Sequence, residues 1–343
     1  MNLPASMKVG LYFSNSDLRV EERPLPAIGS SEALAAVRAC GICGSDTMKW
    51  YREPATHDKG GINTGHEIAG QLIQVGSAVA GWKAGDRVVI THHFPCLECT
   101  SCRDGNETAC EAMHEKHIEP GGFSQYIRIL ATGVSKGLYA LPDTMSYEEG
   151  SFVEPLGCVV RSLRKAAPIA GRSVLVLGSG LAGLLHIKLA RAQGAARIVA
   201  VDTNADRLRA AESAGADEVL RATDPVSLAD RVFVCTGSAA ASAKALECVS
   251  RGGHVLFFAA DGPDKTLSIP VTRFWFAQPT IQFSYGAAPR DMREAMEWIR
   301  SGNVPVADLV THRFGIERIP EAFDLAANPK GNSLKVIIQP NGA

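Results

Sequence analysis

Residues 173–183 read SVLVLGSGLAG: an apolar run of four after Ser173, then Gly178-Ser179-Gly180-Leu181-Ala182-Gly183, then helically spaced apolar residues as far as Gln193. A glycine-bounded apolar run of this length spells a buried strand. A G-x-G-x-x-G turn between such a strand and a helix is a dinucleotide-binding signature. The first glycine makes the tight turn, the second lets backbone approach a pyrophosphate, and the third lets helix and strand pack closely. The helix start at Leu181 and Ala182 favours the phosphate charge. Asp202 ends the next strand, RIVAVD, at the distance where a carboxylate takes ribose hydroxyls. It would repel a 2′-phosphate, so NAD is expected rather than NADP. Arg207 could cover the adenine, a solvated helical arginine being the plain alternative.

Working outward, strands and helices alternate: Ser173–Leu177, helix Leu181–Gln193, Arg197–Val201, helix Ala205–Ala214, Glu218–Leu220, Val232–Cys235, helix Ala239–Ser250, His254–Ala259 and Thr280–Tyr285. This alternation implies a doubly wound parallel sheet. The stretch from Asp224 to Arg231 is short for a crossover helix, so one sheet edge is expected to be trimmed. Before it, short strands at Lys8–Phe13, Ala33–Ala39, Glu67–Val75, Arg87–Thr91 and Gln125–Ile129, broken by glycine and proline, predict an irregular barrel-like β domain. Tyr147–Ala166 has helical spacing, and a helix at Arg290–Ser301 precedes a last strand, Leu334–Ile338, expected to rejoin the first domain. The expected architecture is α/β: a β-rich domain at 1–150 completed by 289–343, and a dinucleotide-binding domain at 151–288.

The chain has 343 residues, a formal net charge of −1 and 46% hydrophobic residues, which fits a protein with sizeable cores. Near-zero charge leaves no footprint for nucleic acid or an anionic membrane. The longest apolar stretch, Ser173–Ala190, is interrupted by glycines, His186 and Lys188 and fails as a membrane span. The opening MNLPASMKVG has no apolar signal segment, and the cysteine count is odd, at nine. Both point to a reducing cytoplasm.

Cys96, Cys99, Cys102 and Cys110 form a C-x2-C-x2-C-x7-C array in a polar stretch with little core of its own. Such thiolates suit a structural zinc that supplies the local folding energy, with an iron–sulfur site or free thiols as alternatives. A second constellation joins distant segments: Cys43 in GICGSD, His66 in GHE, and Glu154 before Pro155. One thiolate, one imidazole and one carboxylate make an open three-ligand zinc site with a position left for water or substrate. Such a zinc lowers the pKa of a bound alcohol, which can then give hydride to a nicotinamide. Ser45 is placed to carry the alcohol proton outward, and Asp46 or Glu67 to hold His66 in its metal-binding tautomer. Taken singly, each has a structural reading: His66 and Cys43 as core residues, Glu154 as a helix-start carboxylate.

GICGSD, GHE, the four-cysteine lobe, VEPL and VLGSGLAG together resemble the zinc-containing medium-chain dehydrogenase/reductases, in the sorbitol (polyol) and threonine dehydrogenase branch. The resemblance spans essentially the whole chain. It implies a GroES-like catalytic domain, a Rossmann domain, NAD, catalytic zinc at Cys43, His66 and Glu154, and structural zinc at the four cysteines. By the same match Glu67 is a neighbouring or alternating ligand, and Ser45 the relay hydroxyl. It further implies a homodimer or homotetramer pairing through Ile281–Tyr285. The usual histidine and aromatic after GICGSD are replaced by Thr47-Met48-Lys49-Trp50-Tyr51. Lys49, with Trp50, is therefore a candidate contact for a polar or anionic substrate. The expected activity is oxidation of a secondary hydroxyl of a polyol, sugar or sugar-derived small molecule. Rivals are a threonine-type amino-alcohol dehydrogenase, a non-redox zinc/NAD lyase or epimerase, and an inactive binding relative.

Overall fold

The structure, a computed structural model, describes residues 3–14, 17–52, 61–260 and 262–342. The chain divides into two compact units. One comprises Met1–Pro155, Ala288–Arg300 and Val306–Ala343; the other comprises Leu156–Ala287 with Ser301–Pro305.

The first unit is the GroES-like β domain. Its main sheet runs Val310–Phe314, Lys335–Ile338, Ala33–Gly41, Glu67–Val75, Arg87–Ile90, Leu138–Ala140. The organiser is Ala33–Gly41, ALAAVRACG, in which every residue but Arg38 is buried. Antiparallel pairing with Glu67–Val75 sets Gly41 opposite Glu67, and pairing with the last strand sets Gly41 opposite Ile337. The C-terminal strand thus returns to the first domain, as the sequence suggests. Val37, Ile68, Leu72, Val88, Ile90, Ile127 and Phe323 form the centre of the core. Each such side chain contributes roughly 1.5–3 kcal/mol by leaving water.

Two local readings change. Ser6–Ser14 pairs with Asp17–Pro24 in a separate hairpin, whose charged second strand, DLRVEERP, has only Leu18 and Val20 as an apolar alternation to announce it. The segment 147–166 is two helices, Tyr147–Ser151 and Val153–Lys165. Ser146 caps the first, accepting from the Glu149 amide while Glu149 accepts from the Ser146 amide. Pro155 then falls in the first turn of the second helix, where its missing N–H costs nothing.

The second unit is a Rossmann domain of six parallel strands, ordered Glu218–Arg221, Arg197–Asp202, Ser173–Leu177, Ala229–Val234, Val249–Phe257, Thr280–Phe283. The order reverses beside Ser173–Leu177, the strand feeding the glycine-rich turn, which is where such sheets bind nucleotides. No helix lies between Arg221 and Ala229, so the edge is trimmed as expected. The helix read as Ala239–Ser250 stops at Cys248, and the following strand starts at Val249 rather than His254. The Arg251-Gly252-Gly253 stretch lacks apolar pattern, but it is carried into the strand across an irregularity opposite Ala229–Arg231. Among the described residues no helix is long and apolar enough to cross a membrane.

Candidate metal centres and dinucleotide site

Cys43 closes the turn after Ala33–Gly41 and caps the short helix Gly44–Thr47. Asp46 lies at the third position of that helix, fully buried, and turns back so that one carboxylate oxygen accepts from the Cys43 amide at 3.0 Å. Its other oxygen accepts from Arg52 Nη2 at 2.8 Å and stands 3.6 Å from His66 Nδ1. Burial opposes the Asp46 charge, but His66, Arg52 and the Cys43 amide outweigh it and hold the carboxyl below its usual range. For His66 burial alone would lower the pKa; Asp46 and Cys43 reverse this and raise it well above the ordinary value.

Sγ of Cys43, a ring nitrogen of His66 and a carboxylate oxygen of Glu67 lie within 4.8 Å of one another. Glu67 enters the strand next to His66, and its side chain is excluded from solvent. One of its oxygens takes the ammonium of the equally buried Lys335; Oε1 is buried with no hydrogen-bond partner. A buried, orphaned carboxylate oxygen beside a thiol and an imidazole fits a bound cation. Glu154 lies half-buried in the first turn of Val153–Lys165, outside that three-residue set. Ser45 is half-buried and its carbonyl accepts from Arg52 Nε at 3.1 Å; Lys49 and Trp50 are exposed on the short helix Lys49–Arg52.

The four-cysteine lobe is more regular. Sγ separations are 3.9 Å for Cys96–Cys102, and 3.5 Å for both Cys99–Cys102 and Cys96–Cys110. Four sulfurs about 2.3 Å from one tetrahedral ion stand about 3.8 Å apart, whereas a disulfide needs about 2.05 Å. All four thiols are unpaired. The amides of Glu98 and Cys99, 3.4 and 3.3 Å from Cys96 Sγ, bring that thiol down to about 6, while burial pushes Cys102 up to about 12. The donor set therefore fits a single zinc ion that displaces protons as it binds.

In the Rossmann unit Gly183 is required sterically, since a Cβ there would lie 2.0 Å from the Gly178 carbonyl oxygen. Gly180, before the helix Leu181–Ala192, faces open space, its nearest neighbour being Arg207 Nη1 at 4.0 Å from an added Cβ. That opening is what a pyrophosphate on the Leu181 and Ala182 amides requires. Asp202 is buried at the end of its strand and accepts from the Ser179 amide at 2.7 Å and the Asn204 amide at 2.9 Å. It fastens the glycine-rich turn to the neighbouring loop.

Residues 29–143 match the alcohol dehydrogenase GroES-like domain, and residues 182–301 match the zinc-binding dehydrogenase domain. The chain is 31% identical to a sorbitol dehydrogenase of Bombyx mori, over 94% of this chain and 95% of that protein. The chain belongs to the zinc-containing medium-chain dehydrogenases, in the polyol dehydrogenase branch. This dehydrogenase is equally 31% identical to an L-idonate 5-dehydrogenase of Vitis vinifera, over 93% and 91% of the two chains. Its fold superposes on 2R,3R-butanediol dehydrogenase of Bacillus subtilis with a TM-score of 0.84 at 26% identity, covering 98% of this chain and 100% of that one. It is a zinc-dependent alcohol oxidoreductase using a nicotinamide dinucleotide.

Sequence reasoning passed over Arg52, Lys335 and three histidines beside the metal site, His92, His93 and His114. The His92-His93 pair ahead of Cys96 was the available signal; Lys335 had none, since only the fold brings it to Glu67.

Proposed function

We propose that the dehydrogenase oxidises a secondary hydroxyl of a polyol or sugar-derived substrate to a ketone, with NAD as hydride acceptor. The carrying observation is the convergence of Cys43, His66 and Glu67 with an orphaned Glu67 oxygen. Cys43, His66 and a carboxylate, Glu67 or Glu154, would hold the catalytic zinc. Bound there, zinc would supply the Lewis acid that makes an alcohol acidic near neutrality. Asp46, pinned by Arg52 and the Cys43 amide, fixes the His66 ring. The Ser45 hydroxyl takes the alcohol proton outward. Cys96, Cys99, Cys102 and Cys110 hold the structural zinc. Asp202 and the Gly178–Gly183 turn receive the nucleotide, and the Asp202 carboxylate favours NAD over NADP.

We also infer a homo-oligomer in the cytoplasm. Thr280–Phe283 is the last strand of its sheet and, among the described residues, pairs only with Val249–Phe257. Phe283, its last residue, is 69% exposed, and Trp275 in the preceding helix Val271–Ala277 is 73% exposed, apolar surface suited to a second copy. None of the nine cysteines is in a disulfide, which fits a reducing compartment.

The test is NADH formation over sugar alcohols, sugar acids and threonine, with metal measured on the same sample. About two zincs per chain and turnover of polyols are expected. Turnover of threonine alone, or substrate conversion without net NADH, would replace this reading with an amino-alcohol dehydrogenase or a lyase or epimerase.

A further inference from the structure

The strand Arg87–Ile90 ends just before His92 and His93, which lead into Cys96. His114 ends the short helix Glu111–His114, just past Cys110. Closing the four-cysteine lobe therefore returns His114 to His93. The four imidazoles form a ladder: His66 to His92 at 5.0 Å between ring centroids, His92 to His93 at 3.6 Å, and His93 to His114 at 4.7 Å, edge-on at 83°. Exposure rises along it, from buried His66 through half-buried His92 and His93 to exposed His114. The ladder thus leads from a candidate zinc ligand to solvent, and His92 Nδ1 on it is buried without a hydrogen-bond partner.

Resting on the reading of the catalytic zinc given above, we propose that His92, His93 and His114 are a specificity subsite that hydrogen-bonds the hydroxyls of a substrate chain extending beyond the reacting carbon. A neutral imidazole offers one N–H and one lone pair, the same complement that a hydroxyl offers in return. Burial, with the neighbouring imidazoles and Arg52, brings His93 down to about 3, so its ring is neutral in the working range. The lobe that holds structural zinc thereby also carries the outer rung of substrate recognition.

The experiment compares His93→Phe, which keeps a stacked ring but removes both nitrogens, with His93→Gln, which restores a donor and an acceptor. A second position, exposed His114→Phe, guards against a misfolded first variant, and zinc content and melting temperature are checked on each. Sorbitol and xylitol carry hydroxyls beyond the reacting pair; 2,3-butanediol carries none. The Phe variants should lose about tenfold in kcat/KM on sorbitol and xylitol, mainly through KM, and stay within about twofold on 2,3-butanediol. His93→Gln should recover most of the loss. Equal losses on all three alcohols, or none, overturn the proposal. Saturation-transfer NMR of sorbitol on the zinc-loaded proteins reads the subsite without turnover. Signal in the wild type that is lost in His93→Phe upholds the subsite even if NADH formation fails; signal unchanged in the variant, or absent from the wild type, overturns it.

Discussion

Lys335 and Glu67 form an ion pair with both side chains wholly excluded from solvent. Lys335 is the first residue of the C-terminal strand, and Glu67 the first of the strand that follows His66. They meet across Ala33–Gly41, which pairs with both strands. The ammonium also donates to the Ile42 carbonyl at 3.3 Å and lies 5.6 Å from the centre of the Phe152 ring. It pairs with one Glu67 oxygen and leaves the other, Oε1, without a hydrogen-bond partner. Removing the ammonium strands a buried carboxylate, so Lys335→Met should cost about 4 kcal/mol in urea unfolding. Glu67→Gln combined with Lys335→Met should recover much of it. A single-variant loss below about 1 kcal/mol would mean that water reaches the pair.

The same pair dictates a glycine. A Cβ at Gly41 would stand 2.0 Å from Glu67 Oε2 and 2.6 Å from Lys335 Nζ. Gly41→Ala should therefore displace both groups, reducing zinc to about one per chain and abolishing most turnover. Metal analysis of the purified variant decides this; two zincs and wild-type kcat would show that the pair can shift without disturbing the site.

The catalytic metal competes with a proton. Asp46 and Cys43 raise the His66 pKa against the lowering effect of burial, so the metal-free protein keeps His66 protonated well above its ordinary range. Zinc requires the neutral ring, and its affinity should fall as pH drops through that raised pKa. In the metal-free protein the sign is opposite. The His66–Asp46 contribution to stability is complete below the unfolded histidine pKa, near 6.5, and is lost as pH rises through the folded value. Zinc titrations and denaturation of metal-free protein at pH 6 and pH 9 should show the two trends crossing; parallel trends would exclude His66 as the coupling group.

Much of this was legible beforehand for a physical reason. Local chemistry is written locally: the turn Gly178–Gly183, the cysteine spacing, and Cys43-Gly44-Ser45-Asp46 each announce themselves over a few residues. What escaped depends on pairing between distant strands. Lys335 reads as an ordinary strand-start lysine until Ile337 is paired with Gly41. Glu67, read from its motif as a neighbouring or alternating ligand, lies within ligand distance of Cys43 and His66. The hairpin strand Asp17–Pro24 is held by backbone pairing with Ser6–Ser14, and its period-2 signal is only the two residues Leu18 and Val20.

Leu97 stands between Cys96 and Cys99 with φ 69°, in the left-handed region, and its side chain is 52% exposed. That conformation costs a residue with a Cβ roughly 1–2 kcal/mol. It persists because the loop must turn tightly enough to place the Glu98 and Cys99 amides on Cys96 Sγ. The exposed side chain contributes little packing to offset the strain. Leu97→Gly removes the strain, while the added freedom of the unfolded chain returns about 0.5–1 kcal/mol. The net expectation is a lobe more stable by about 0.5–1 kcal/mol, with structural zinc lost to a chelator more slowly and kcat unchanged. Cys99→Ser should act the opposite way, halving zinc content and lowering the melting temperature. Faster zinc release from Leu97→Gly than from the wild type would show that the leucine side chain, rather than the backbone turn, guards the metal.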